Sequence, residues 1–148
     1  MDSSLVYLVQ TDTTVGFSSS NDEKLNIIKQ RTKSQKILQT VNSFKTLRNS
    51  FTRVPRKFRK TVRNSKKTTF IYPNLKSFRV IPKDDNFHTF INKFKALYST
   101  SANLTGDSFQ GKFAYEKSNI LVYTKEDFNE KISSSIYKIN KNKIKKIR

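Results

Sequence analysis

The chain of 148 residues contains no cysteine. Disulfides, thiolate nucleophiles and cysteine-held zinc or iron–sulfur centres are thereby excluded, and a reducing intracellular setting fits. Only three glycines and three prolines are present, which leaves few sharp breaks, and neither a linker nor an internal repeat is visible. One domain over residues 1–148 is the economical organisation. The longest apolar run, residues 5–9 (LVYLV), falls far short of the ~20 residues that a membrane helix needs. Met1-Asp2 opens no charged-then-apolar export signal, so the expectation is a soluble cytoplasmic protein with no membrane partner. Apolar residues are scarce at 34%, but aromatics reach 12% with 12 Phe and 6 Tyr. Large aromatic side chains supply enough burial each to predict a small core rather than a disordered chain.

Residues 5–9 read as a buried strand ending at the polar turn Gln10-Thr11-Asp12-Thr13, with a loop beyond it through Gly16. Asn21 is placed to cap a helix with Asp22 and Glu23 in its first turn and an apolar stripe of Leu25, Ile27 and Ile28. Residues 37–41 predict a second strand, and the spacing of Phe44, Leu47 and Phe51 a short helix. Residues 68–72 (TTFIY) and 77–81 (SFRVI) predict an antiparallel pair around Pro73-Asn74-Leu75-Lys76. Asp84 or Asp85 caps a further helix whose stripe is Phe87, Phe90, Ile91, Phe94 and Leu97. Tyr98–Thr100 is read as entering a serine-rich turn. Residues 120–123 form a strand, and residues 135–139 and 144–148 a last hairpin. The fold class is α+β.

Acidic residues are the other scarcity. There are 11 against 30 Lys and Arg, a net charge of +19, and none stands between Glu23 and Asp84, where 18 cations fall. Arg53, Arg56, Lys57, Arg59, Lys60, Arg63, Lys66 and Lys67 crowd fifteen residues, and a helix over 56–66 would align 56, 59, 60 and 63. Unpaired cations on one face suit a nucleic-acid backbone, with affinity that falls steeply with salt; a solvated lysine face is the alternative. His88, the single histidine, follows Phe87 and is read as a surface or edge residue. No metal-ligand spacing is visible.

Two turns and four intervening or later blocks carry a family resemblance. Residues 10–17 (QTDTTVGF), then Lys29-Gln30-Arg31 with Lys36 five residues on, then residues 68–73 (TTFIYP) and 78–82 (FRVIP), then residues 99–106 (STSANLTG), and finally Ser134-Ser135-Ile136 resemble the YrdC/YciO family in sequence and in order. That family includes the threonylcarbamoyl-adenylate synthases. The resemblance spans nearly the whole chain, with the STSAN turn its most specific part. It implies a twisted mixed sheet with flanking helices and a concave basic cleft. In such a cleft L-threonine, bicarbonate and ATP become threonylcarbamoyl-adenylate and pyrophosphate, for the threonylcarbamoyl modification of tRNA.

By position, the resemblance implies that Lys29, Arg31, Lys36, Ser99, Ser101, Asn103, Ser134 and Ser135 hold ATP and its phosphates. Thr11, Thr13, Thr69 and Arg79 would line the threonine side, and no residue would serve as a nucleophile, because the carboxylated threonine is itself the attacking group. Magnesium would arrive on the triphosphate rather than in a protein site. Partners would be tRNA or other structured RNA and the other proteins of tRNA threonylcarbamoylation. The chain departs from the family pattern where Gln10, Val15 and Ile37 replace Pro, Tyr and Pro, where Ser65-Lys66-Lys67 replaces Pro-Gly-Pro, and where Ser133-Ser134-Ser135 replaces Pro-Ser-Thr. Lost prolines and glycines remove preset backbone geometry. Two readings follow: a minimal synthase, or a non-catalytic binder of double-stranded or structured RNA, tRNA or rRNA, on the same fold.

Overall fold

Alternation of apolar with small polar side chains along successive strands builds a nine-stranded mixed sheet, seen in a computed structural model that describes residues 1–31 and 35–148. The strands are β1 (Tyr7–Gln10), β2 (Val15–Ser19), β3 (Gln39–Val41), β4 (Thr68–Ile71), β5 (Ser77–Val80), β6 (Ala96–Ser101), β7 (Ile120–Val122), β8 (Ser135–Ile139) and β9 (Ile144–Lys146). Their order across the sheet is β7-β1-β2-β6-β3-β5-β4-β8-β9. Helices α1 (Asp22–Ile28), α2 (Phe44–Ser50), α3 (Arg59–Asn64), α4 (His88–Phe94) and α5 (Gly111–Lys117) accompany it, with a 3-10 turn at Arg56–Phe58.

One face carries Leu8, Phe17, Phe70, Phe78, Val41 and Ile139, packed in two clusters with Leu25 of α1, Ala114 of α5, Leu47 of α2 and Val62 of α3. On the other face Tyr7, Val9 and Leu97 meet Phe87, Phe90 and Ile91 from the start of and within α4. Tyr7 sits 5.4 Å from both Phe90 and Phe94, ring centre to ring centre. Beyond α4 that second face changes character. Registers Gly16↔Ser101, Thr40↔Arg79, Ile71↔Ser77 and Thr69↔Ile136 place small, hydroxyl and cationic side chains where α4 does not reach.

The sequence expectations hold for the β4–β5 pair and the β8–β9 hairpin, both antiparallel, and for Asn21, whose side chain accepts from the Lys24 N–H at the start of α1. Several need correction. The segment after the first turn is not a loop but β2, which pairs with β1 and β6 on both edges; its serines and glycine hid a strand that is entirely buried. Ile27 is 75% exposed and leaves the α1 stripe to Leu25 and the half-buried Ile28. Leu97 belongs to β6, because Lys95 takes φ 70° and ends α4. Tyr98–Thr100 is likewise strand rather than turn. Of the two aspartates, Asp85 accepts from the Phe87 N–H, just before α4, while Asp84 pairs with Lys66 at 3.5 Å. Residues 56–66 divide into the 3-10 turn and α3, which stops at Asn64. Strand β1 starts at Tyr7 rather than Leu5, and β3 at Gln39 rather than Ile37. Helix α5 had no counterpart in the sequence reading.

Candidate functional site

The turn between β1 and β2 is closed by its own side chain: Thr11 Oγ1 donates to the Thr14 carbonyl at 2.6 Å and accepts from the Thr13 N–H at 3.2 Å. This local closure aims Asp12 away from solvent, and the Asp12 carboxylate meets Arg79 of β5. Arg79 Nε and a terminal nitrogen lie 3.0 and 2.9 Å from Asp12 Oδ1, with side chains 4% and 1% exposed. The other terminal nitrogen of Arg79 reaches Thr69 Oγ1 at 3.5 Å, Thr69 Oγ1 lies 2.9 Å from Ser134 Oγ, and the Ser134 carbonyl accepts from Arg148 at 2.8 and 3.1 Å. A polar chain thus runs from the β1–β2 turn across β5 and β4 to the start of β8 and the last residue. Pairing of a guanidinium with a carboxylate in this way fixes orientation as well as charge.

Above that chain opens a cavity of about 270 Å³ lined by threonine and serine hydroxyls and by cations. Arg31, Lys36 and Arg148 supply the charge, the fourth cation, Arg79, being paired with Asp12, and among the sequence-selected residues Thr11, Thr13, Thr69, Ser99, Ser101 and Ser134 line it too. The volume is near the lower end of small-molecule sites, roughly 300 Å³. Gly16 also faces it, and a side chain there would be impossible: a Cβ would stand 2.8 Å from the Thr100 carbonyl oxygen and 3.2 Å from Thr11 Cγ2. Glycine is the residue that permits this close approach of β2 to β6.

Lys29 is placed differently from its sequence expectation. It does not line the cavity but is almost fully buried beside it. Its ammonium donates to the Ser101 carbonyl at 2.9 Å, Ser101 Oγ at 3.3 Å, Asn103 Oδ1 at 3.0 Å and the Asn103 carbonyl. Burial first, and then the neighbouring Arg31 charge, pull the pKa of the Lys29 ammonium down to about 8. Lys29 therefore ties the end of α1 to the turn after β6. Thr105 reinforces the tie, donating to the Lys29 carbonyl at 3.1 Å and accepting from Arg31 Nε at 3.4 Å.

Asn103 lines a smaller adjoining hollow of about 90 Å³ with Ser101, Phe109 and Ser133 rather than the main cavity. Ser135 lies in β8, its backbone N–H donating to the Lys67 carbonyl at 3.1 Å. The basic run Arg53–Lys67 stays outside the cavity: Arg53, Arg56, Lys57, Lys60, Arg63, Lys66 and Lys67 are exposed, and Arg59 turns inward to the Val54 carbonyl. His88 is half-buried, with Nε2 3.0 Å from the Asn42 carbonyl. Polar and glycine cavity residues that the sequence reading missed are Thr14, Gly16, Ser77, Thr100, Ser133 and Arg148, together with Asp12 beneath them. The available signal was period-two alternation in Ser77-Phe78-Arg79-Val80, which puts Phe78 and Val80 in the core and Ser77 and Arg79 on the cavity face.

Among the described residues no group of three or more His, Cys, Asp or Glu could hold a metal ion, and no helix is long and apolar enough to cross a membrane. No protein-family model matches the sequence, and no curated protein matches it. Solved structures do match its shape. P. abyssi Sua5 complexed with L-threonine superposes with a TM-score of 0.77 at 14% identity, covering 98% of this chain and 50% of that one. A doubly substituted P. abyssi Sua5 gives 0.78 at 13% identity, covering 98% and 52%. The MTH1692 protein of Methanobacterium thermoautotrophicum gives 0.70 at 15% identity, covering 98% and 80%. The chain thus spans about half the length of the Sua5 chains it matches. With nine strands in one mixed sheet and five helices among the described residues, and a cationic hydroxyl-lined cavity, this chain has the YrdC/Sua5-like fold.

Proposed function

We propose that the cavity binds L-threonine and ATP and that the protein is a threonylcarbamoyl-adenylate synthase serving tRNA modification. The observation that carries this reading is the convergence, around one cavity, of Thr13, Thr69 and Arg79 on one side with Arg31, Lys36 and Ser101 on the other. The Sua5 structure that holds L-threonine supports the amino-acid half. The threonine amine and bicarbonate combine as a carbamate with loss of water. A carbamate oxygen then attacks the α-phosphorus of ATP, and pyrophosphate leaves with the electron pair of the broken P–O bond. No protein nucleophile is required; the protein holds two anions in register and neutralises charge that grows on the leaving group.

Within that scheme Arg31 and Lys36 face the triphosphate, and Arg148, fixed through the Ser134 carbonyl, adds a third cation from the far wall. Lys29 acts as a positioning residue, holding the Ser101–Asn103 turn rather than touching phosphate. Arg79 is neutralised by Asp12 and serves chiefly to orient Thr69. Magnesium enters on ATP as part of the substrate, in keeping with an ion that commonly takes substrate oxygens. The test is pyrophosphate release by the purified protein at magnesium in excess of nucleotide. Release that requires both threonine and bicarbonate is the expected result, and no release with any combination overturns the synthase assignment.

A further inference from the structure

Against Asp12 lies a second hollow, of about 130 Å³, that the synthase reading leaves unused. Asp12, Lys66, Lys67, Pro82, Asp84 and Asp85 line it, and it shares no lining residue with the main cavity. At about half the cavity's 270 Å³, it suits a ligand of few heavy atoms rather than a nucleotide. Two stretches of chain hold it. Lys66 and Lys67 lead into β4, where the Lys66 carbonyl accepts from Thr68 Oγ1 at 2.8 Å and the Lys67 carbonyl from the Ser135 N–H at 3.1 Å. Lys67 takes φ 50°, a left-handed backbone that is costly for a residue with a Cβ and that recurs at ligand clamps. Pro82, Asp84 and Asp85 lead into α4, with Asp85 Oδ1 accepting from the Phe87 N–H at 2.9 Å.

The carboxylates of this hollow are under-partnered. Arg79 engages Asp12 through Oδ1, and Asp12 Oδ2, on a side chain 1% exposed, has no hydrogen-bond partner among the described residues. A buried carboxylate oxygen left in that state forfeits its hydration without return. Burial holds the Asp85 carboxyl above its ordinary value; the Phe87 N–H opposes that shift, and the charges of Asp12 and Glu126 add to it. Both acids therefore call for a positively charged donor. The two lysines do not supply it: Lys66 pairs with Asp84 at 3.5 Å, and among the described residues no ion pair joins Lys66 or Lys67 to Asp12 or Asp85. A bare cation does not suit the hollow either, because Lys66 and Lys67 would face it and no group of three or more ligating side chains among the described residues is disposed to hold a metal. An anion would meet Asp84 and Asp85. A ligand with an ammonium at one end and a carboxylate at the other answers both signs and brings no net charge to desolvate.

We propose that this hollow binds a small zwitterionic amino acid, its ammonium on Asp12 and Asp85 and its carboxylate on Lys66 and Lys67. The site is separate from the cavity and independent of the synthase reading, so it is tested without ATP or threonine. The probe is glycine, titrated at neutral pH into isotope-labelled protein, with backbone amide chemical shifts as the readout. Saturable shifts are expected at Lys66, Lys67, Asp84 and Asp85. Methylamine and acetate carry one charge each and bind more weakly by roughly tenfold, because each abandons the charged hydrogen bonds of one end. D85N keeps the acceptor for the Phe87 N–H but loses its charge, and K66Q/K67Q removes the opposite charges; each weakens glycine binding by roughly tenfold. Unperturbed amide shifts elsewhere establish that both variants are folded. The absence of a saturable shift, shifts confined to cavity residues such as Thr69 and Ser101, equal binding of acetate or methylamine, or unchanged glycine affinity in either variant would each overturn the proposal. Larger shifts at the same amides with magnesium chloride than with glycine would overturn it in favour of a metal ion.

Discussion

At the β7-β1-β2-β6 end of the sheet, α4 covers the second face with Tyr7, Val9 and Leu97 beneath Phe87, Phe90 and Ile91; at the β3-β5-β4-β8-β9 end the same face is left open over Thr69, Ser77, Arg79 and Ile136. The opposite face carries the two larger apolar clusters, one toward each end. The contrast shows that the cavity arises from every second residue of a few strands, where a large apolar side chain is exchanged for a hydroxyl or a cation. Charge follows the same division, with the acids confined to the covered end and its flanking loops. The Asp12–Arg79 pair bridges the two regions, since Asp12 belongs to the β1–β2 turn and Arg79 to β5.

Breaking that bridge gives the largest expected effect. Asp12→Ala leaves the Arg79 guanidinium buried and unpaired, and removal of one partner of a buried pair costs about 3–5 kcal/mol; urea denaturation measures it, and a loss below about 1 kcal/mol would mean that the two ends are not coupled through this pair. Next in size is Arg31→Ala. On the synthase reading it removes a charged partner for phosphate, worth roughly 1.5–3 kcal/mol, so nucleotide affinity falls at least tenfold while the unfolding midpoint barely moves. Equilibrium binding of ATP is the readout, and unchanged affinity removes Arg31 from the site.

A smaller effect distinguishes Lys29 from Arg31. Because the folded-state pKa of Lys29 is pulled down to about 8, below the unfolded value of about 10.4, the unfolded chain binds more protons between those limits. Stability contributed at this site therefore rises with pH through that window and is lowest below it. Lys29→Met abolishes the rise, and the stability difference between wild type and variant across pH 8–10 is the measurement. A parallel pH dependence of the two proteins would place the titration elsewhere. The smallest effect belongs to the basic end: Lys138→Thr relieves the repulsion with Lys145 and stabilises by a few tenths of a kcal/mol, read as a slight increase in Tm. A decrease would show that the lysine pair contributes packing rather than cost.

Much of the outer end was legible because its signals are local. The β4–β5 connection and the β8–β9 hairpin each depend on turn chemistry within a few residues, as the Asn21 cap of α1 does at the other end. Strand β2 was not legible. Its buried Gly16, Ser18 and Ser19 lack strand propensity, and their place between β1 and β6 is set by the partners on either side and by the 2.8 Å limit at Thr100. Leu97 was misassigned for a related reason: the apolar spacing continues past the helix, but the backbone reverses at Lys95.

The sequence alone determined the cation surplus, the absence of thiol chemistry, and the order of the TDT, Lys-x-Arg and STSAN motifs, since each is a property of composition or of neighbouring residues. Which cations face the cavity was decided only in three dimensions. Lys29 and Arg31 are two residues apart, yet one is spent on Ser101 and Asn103 and the other opens to the cavity. Arg148, 117 positions further along, reaches the same cavity as Arg31 because β9 folds back along β8, bringing the Arg148 side chain to the Ser134 carbonyl. Long-range strand pairing creates that proximity, and no local pattern encodes it.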